Sequence, residues 1–86
     1  MTPLEVELRE KLINQLSLEI DAEEIESETY LFGQGLELDS IDAIEIEVMV
    51  KAEYGIDILQ SERNQSTFGT LATLAEFIEQ NRNRDA

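Results

Sequence analysis

Residues 40 to 55 read SIDAIEIEVMVKAEYG. The spacing predicts a helix from Ser40 to Tyr54, closed by Gly55 as the glycine just past a helix end. At about 100° per residue the apolar side chains form two faces rather than one. Ala43, Ile46, Val50 and Tyr54 lie at about 140° to 220° from Ile41, whereas Ile41, Ile44, Val48 and Ala52 lie at about 300° to 20°. Asp42, Glu45, Glu47 and Glu53 sit between and beside them. In a small bundle one face meets the core. The other is either buried in a central position, covered by a loop, or left for a partner. The Ile41, Ile44, Val48 stripe starts beside Ser40 and is edged by Asp39, Asp42 and Glu45. An apolar strip with a carboxylate edge suits a hydrophobic groove rimmed by lysine and arginine.

Upstream, Thr2, Pro3 and Glu5 are an N-cap, a first-turn proline and a capping-box acid in sequence, so a first helix is expected from about residue 3 to 17. Leu8, Leu12, Ile13 and Leu16 supply its core stripe, with Arg9 falling inside the same arc. Residues 17 to 39 lack sustained periodicity and hold six acids between Glu19 and Glu28 without a base. A loop this long needs anchors, and Ile20, Ile25, Leu31, Phe32 and Leu36 are suited to that role. Gly33 and Gly35 mark turns just before Ser40.

Downstream, IDILQSERNQS is a loop with room for a short helical turn. Thr70 then caps a last helix to about residue 81, with Leu71, Leu74, Ala75, Phe77 and Ile78 on its apolar face. Arg82 and Arg84 suit the negative end of its dipole. The expected architecture is all-α: a small antiparallel bundle of three main helices, with a possible short fourth and a long loop between the first two.

Eighty-six residues suffice for one domain and bury about 60 to 65% of the unfolded surface, which leaves no depth for an enclosed active site. The apolar fraction of 42% is that of a folded protein, but the net charge is -14, with two lysines and four arginines. Self-repulsion therefore opposes folding, most strongly at low ionic strength. Such a surface repels nucleic acid and anionic lipid and favours basic partners. The sequence has no signal-like start and no apolar run near the roughly 20 residues that span a bilayer, so it reads as a soluble, cytoplasmic protein. The absence of cysteine and histidine removes thiolates, imidazole bases and the common zinc ligands together. No catalytic or metal-binding residue is expected, and a carrier or binding module is favoured over an enzyme.

Ser40 can be a helix cap, but Asp39 can fill that role equally, leaving the other residue free. A hydroxyl at a helix start is also a sound place for a phosphodiester, because backbone N–H groups and the positive dipole end face the new anion.

The stretch LELDSIDAIEIEVMVKAEYGIDI resembles the modification site and recognition helix of acyl carrier proteins, whose hallmark is Asp-Ser-Leu or Asp-Ser-Ile opening a helix that ends near Gly-Ile. The resemblance extends over residues 1 to 86 as one acyl-carrier-like domain. It includes Leu8, Leu12 and Leu16, the loop with Phe32 and Leu36, and TFGTLATLAEFI as last helix. It implies that Ser40 receives 4′-phosphopantetheine from coenzyme A through a phosphopantetheinyl transferase, and that the distal thiol holds acyl groups as thioesters. Asp39, Ile41, Asp42, Ile44, Glu45 and Val48 match the family's partner-docking positions. Ile46, Val50 and Tyr54 match its core side, where the bundle can open around an acyl chain. The implied partners are acyl-transferring and ketosynthase-type enzymes with basic docking surfaces, served by a monomer that neither binds nucleic acid nor enters membranes.

Four positions depart from the family pattern. Glu37 stands where glycine is common three residues before the serine, Lys51 and Ala52 stand where fatty-acid carriers usually show two acids, and Leu59 replaces a frequent proline. The pathway is thus open between fatty-acid synthesis and a specialised lipid, polyketide or aryl-polyene-like route. Peptidyl and D-alanyl carriers share the fold and serine but differ in cargo. The rival from another class is an unmodified acidic regulatory or DNA-mimicking protein that binds basic partners, in which Ser40 has no special role. An EF-hand is disfavoured, because DSIDAIEIE lacks the Asp-x-Asp-x-Asp-Gly spacing.

Overall fold

The computed structural model describes residues 1–32 and 35–82. The turn expected at Gly33 and the dipole contact expected of Arg84 lie outside them. Among the described residues four helices follow in order: α1 (Pro3–Leu16), α2 (Ser40–Tyr54), α3 (Gln65–Phe68) and α4 (Leu71–Arg82). Single 3-10 turns at Ala22–Glu24 and Gln60–Glu62 interrupt the two longer connections. The all-α bundle expected from the sequence is therefore present, and the loop after α2 holds both a 3-10 turn and the short helix α3.

Local chemistry sets the helix ends. The Thr2 hydroxyl accepts the Glu5 N–H at 3.1 Å, and the Glu5 carboxylate accepts the Thr2 N–H at 2.8 Å. α1 ends at Leu16, one residue before the expected limit, with Ser17 as its C-cap in the left-handed region (φ 52°). Gly55 (φ 71°) ends α2 as predicted, its N–H donating to the Lys51 carbonyl at 3.0 Å. At α4 the Thr70 hydroxyl accepts the Thr73 N–H, while the Thr73 hydroxyl accepts the Thr70 N–H, a threonine version of the same reciprocal box.

α1 packs on both α2 and α4, α2 also meets α4, and α3 lies on α4. Leu8 and Leu12 of α1, Ile46 and Val50 of α2, and Leu71, Leu74 and Ile78 of α4 are completely buried. Ile13, Leu16 and Phe77, expected on core stripes, are only half-buried. Met49 is buried as well, although the two-face plot of α2 left it out. The reason is that α2 packs against two helices, so its buried arc is wider than one stripe. Arg9, inside the α1 arc, is half-buried and donates to the Ile25 carbonyl at 3.3 Å.

The long loop is a structural layer. Ile25 and Leu31 are fully buried, with Ile20, Phe32 and Leu36 packed partly against the core. The Leu31 N–H donates to the Gly69 carbonyl, and the Leu71 and Ala72 N–H groups donate to the Thr29 and Ser27 carbonyls. Loop carbonyls thus satisfy donors in the first turn of α4 that have no partner inside the helix. The Ser27 hydroxyl also donates to the buried Glu5 carboxylate at 3.1 Å, which ties the loop to α1.

Candidate functional site

The loop delivers the chain to α2 through one close backbone approach and one strained position. Gly35 passes so close to Tyr30 that a Cβ there would lie 1.8 Å from the Tyr30 carbonyl oxygen. Glu37 then takes φ 56°, a left-handed conformation that disfavours any residue with a Cβ. This is the position at which glycine is common in acyl carrier proteins.

Asp39 caps α2. Its carboxylate accepts the N–H groups of Ile41 and Asp42, each at 3.0 Å, and the Asp42 carboxylate accepts the Asp39 N–H at 3.0 Å. The sequence allowed either Asp39 or Ser40 as cap, and the structure assigns the role to Asp39. Ser40 is the first helical residue, is exposed, and its hydroxyl bonds to no other described residue. The N–H groups of Ile41 and Asp42, expected to face an added phosphodiester, are occupied by Asp39 instead. What remains for an anion on Ser40 is the helix dipole, opposed by two adjacent carboxylates.

The two faces of α2 have different fates. Ile46 and Val50 are fully buried, Tyr54 and Ala43 half-buried. Ile41, Ile44 and Val48 are 68%, 60% and 57% exposed, and Ala52 is exposed beside them. Burial of α2 on both sides is thereby excluded. Asp39 and Glu45 are exposed and Asp42 is partly so, and no cation among the described residues pairs with any of the three. Glu45 accepts the Gln15 amide at 2.9 Å.

Tyr54 occupies the opposite end of α2. Its hydroxyl donates to Glu7 of α1, and the Arg82 guanidinium lies 6.0 Å from its ring centroid. Burial first, and the Glu7 carboxylate second, push the phenol well above its ordinary pKa, so it stays protonated and donating. Lys11 to Glu53 at 2.6 Å makes a parallel bridge across the same α1–α2 seam, and this contact raises the Lys11 pKa.

Ser40, Ala43 and Glu47 fall on one line of α2, since residues three and four apart are neighbours on a helix. Ala43 and Glu47, but not Ser40, border a groove of about 550 Å³ between α2, the loop and the α3–α4 corner. Phe32 and Phe68, edge to face with centroids 6.1 Å apart, form its apolar side, and the Arg63–Glu47 ion pair at 2.8 Å lies along it. Ile46, Val50 and Tyr54 do not line this groove. Sequence periodicity placed Phe32 as an anchor but missed Phe68, Arg63 and Glu47, because they converge only when α3 folds back onto α4. Among the described residues no cluster of acids has the geometry of a metal site. No helix of the described chain is long and apolar enough to cross a membrane.

No protein-family model matches the chain, and no curated protein does. Among solved structures it is similar to the holo acyl carrier protein from Nitrosomonas europaea, determined in solution by NMR. The two are 26% identical, superpose with a TM-score of 0.77, and the match covers 96% of this chain and 99% of that one. From α1 to α4 the chain has the fold of an acyl carrier protein, a carrier's fold rather than an enzyme's.

Proposed function

We propose that residues 1–86 form an acyl carrier domain in which Ser40 bears 4′-phosphopantetheine. The observation that carries this reading is the Asp39–Asp42 box, which completes the cap of α2 without the intervening hydroxyl. Exposure of Ser40 leaves it open to a phosphopantetheinyl transferase. In that reaction the Ser40 Oγ–P bond forms as the pyrophosphate of coenzyme A breaks, the adenosine bisphosphate leaves, and the hydroxyl proton passes to the transferase. The holo state of the similar Nitrosomonas europaea protein supports the same assignment.

When bound, the group supplies the thiol that this cysteine-free chain lacks, and acyl intermediates ride on it as thioesters. The chain's own residues position and present. Asp39 and Asp42 hold the attachment turn rigid, and Ile41, Ile44 and Val48 with Glu45 offer partners an apolar strip with an acidic edge. The groove lined by Ala43, Phe32 and Phe68 gives cargo a place off the solvent, while Ile46, Val50 and Tyr54 form the core side against which it can open. The partners are a transferase and acyl-transferring or ketosynthase-type enzymes of fatty-acid, polyketide or related specialised lipid synthesis in the cytoplasm.

The test is the intact mass before and after incubation with coenzyme A and a broad-specificity phosphopantetheinyl transferase. A gain of one phosphopantetheinyl group, absent in Ser40→Ala, is expected. No gain with several transferases, from folded and initially unmodified protein, overturns the reading in favour of an unmodified acidic protein that binds basic partners.

A further inference from the structure

Three of the chain's five aromatic residues meet at one place. Tyr30, Phe32 and Phe68 all line the groove beside α2, while Tyr54 and Phe77 do not. Phe32 and Phe68 cross edge to face at 86°, so the groove offers an occupant a ring face and a ring edge together. Tyr30, 57% exposed, adds a third ring on the solvent side. Ala43, one turn along α2 from Ser40, contributes only a methyl group to the nearer border. The polar side chains around the rings are largely committed. Glu47 takes the Arg63 guanidinium at 2.8 Å, so this pair brings no net charge. The Asn64 side chain accepts the Ser66 N–H and donates to the Ser61 carbonyl. The Thr73 hydroxyl donates to the Thr70 carbonyl, and the Thr70 hydroxyl accepts the Thr73 N–H. Selection in the groove therefore falls to the rings, and its volume of about 550 Å³ is that of a small-molecule site.

Resting on the carrier reading, we infer that the groove selects a flat, conjugated acyl cargo, an aryl or polyene chain, over a saturated chain of equal length. An aromatic face is electron-rich and its edge electron-poor, so a cargo with its own π system continues the edge-to-face order of Phe32 and Phe68. Each such contact favours association about two- to tenfold beyond the burial of area. A saturated chain gains the area alone. A conjugated chain is also rigid before it enters, so it gives up less rotational freedom in the groove. The matched charges of Glu47 and Arg63 suit a cargo that is neutral along its length.

The probes are hexadienoyl- and hexanoyl-phosphopantetheine, loaded separately on Ser40 from the matching coenzyme A thioesters by a broad-specificity transferase. The Ser40 Oγ–P bond forms as the pyrophosphate bond breaks, the adenosine bisphosphate leaves, the hydroxyl proton passes to the transferase, and the thioester stays intact. Urea melts then give the folding equilibrium constant of each loaded form, because cargo seated only in the native state stabilises that state. The constant of the hexadienoyl form is expected to exceed that of the hexanoyl form by about two- to tenfold. In NMR spectra the rings should also shift the terminal methyl protons of the hexadienoyl cargo upfield, relative to the same thioester on coenzyme A. Phe68→Leu should abolish the difference between cargoes. Tyr30→Leu, which changes an exposed side chain and so keeps the test valid if Phe68→Leu fails to fold, should reduce it. Equal or reversed constants on the parent chain overturn the inference, as does a difference that survives the substitutions undiminished. Failure to load, read by mass, overturns the carrier reading and this inference with it, whereas loading with equal constants overturns the inference alone.

Discussion

Asp39 and Asp42 hold each other's backbone N–H at 3.0 Å, and Ser40 stands between them with its hydroxyl uncommitted. Capping thus falls to Asp39, which leaves Ser40 free for the attachment proposed above. Asp39→Ala should lower stability by about 1 kcal/mol through the lost cap. Ser40→Ala should change it by less than about 0.5 kcal/mol, as an exposed substitution outside any packed or bonded group does. Urea melts of the two variants measure this directly. A loss for Ser40→Ala equal to that for Asp39→Ala would make the serine a structural cap.

The strained approach to α2 yields a stabilising substitution. Relief of the left-handed Glu37 by Glu37→Gly is worth about 1 to 2 kcal/mol, less about 0.4 to 1 kcal/mol for the added freedom of glycine in the unfolded chain. A net gain of about 0.5 to 1 kcal/mol is expected from these terms. Gly35→Ala should do the reverse, losing about 1 to 3 kcal/mol, because its Cβ meets a backbone carbonyl that cannot move without breaking the Leu36 to Tyr30 hydrogen bond. Thermal melts of both variants check the pair of signs.

The two faces of α2 should separate under truncation. Ile46→Ala removes a completely buried side chain and should cost about 2 to 5 kcal/mol. Ile44→Ala, on the exposed stripe, should cost less than about 0.5 kcal/mol while lowering turnover with carrier-dependent enzymes. A large stability loss for Ile44→Ala would move that residue into the core.

Acid should loosen the attachment of the loop to α1. The Thr2 N–H, bonded to Glu5, holds its carboxyl below the usual carboxylate range against the opposing effect of burial, with Ser27 helping. A depressed folded-state pKa stabilises above the unfolded value, and that contribution is lost as pH falls through the folded value. Stability of the parent should therefore drop below about pH 4.5, the ordinary value, more steeply than that of Glu5→Gln. Denaturant midpoints at neutral and acid pH distinguish the two curves.

The net charge of -14 makes ionic strength a further handle. The screening length falls from about 30 Å at 0.01 M salt to about 3 Å at 1 M. The melting temperature should accordingly rise with added sodium chloride. A flat or falling trend would show that the exposed ion pairs, which salt weakens, outweigh the repulsion.

Sequence by itself determined where α1, α2 and α4 begin and end, because caps and apolar spacing act within a few residues: Thr2 with Glu5, Gly55, and Thr70 each have their effect locally. It also located Ser40 in a motif and showed that α2 carries two apolar faces. Only the tertiary structure decided which face is core, since that depends on α1 and α4 both packing on the Ile46, Met49 and Val50 side. It likewise assigned the cap to Asp39, forced Glu37 into the left-handed region, and brought Phe32, Phe68, Glu47 and Arg63 around one groove. These outcomes arise from contacts between segments far apart in the chain, and periodicity carries no information about such contacts.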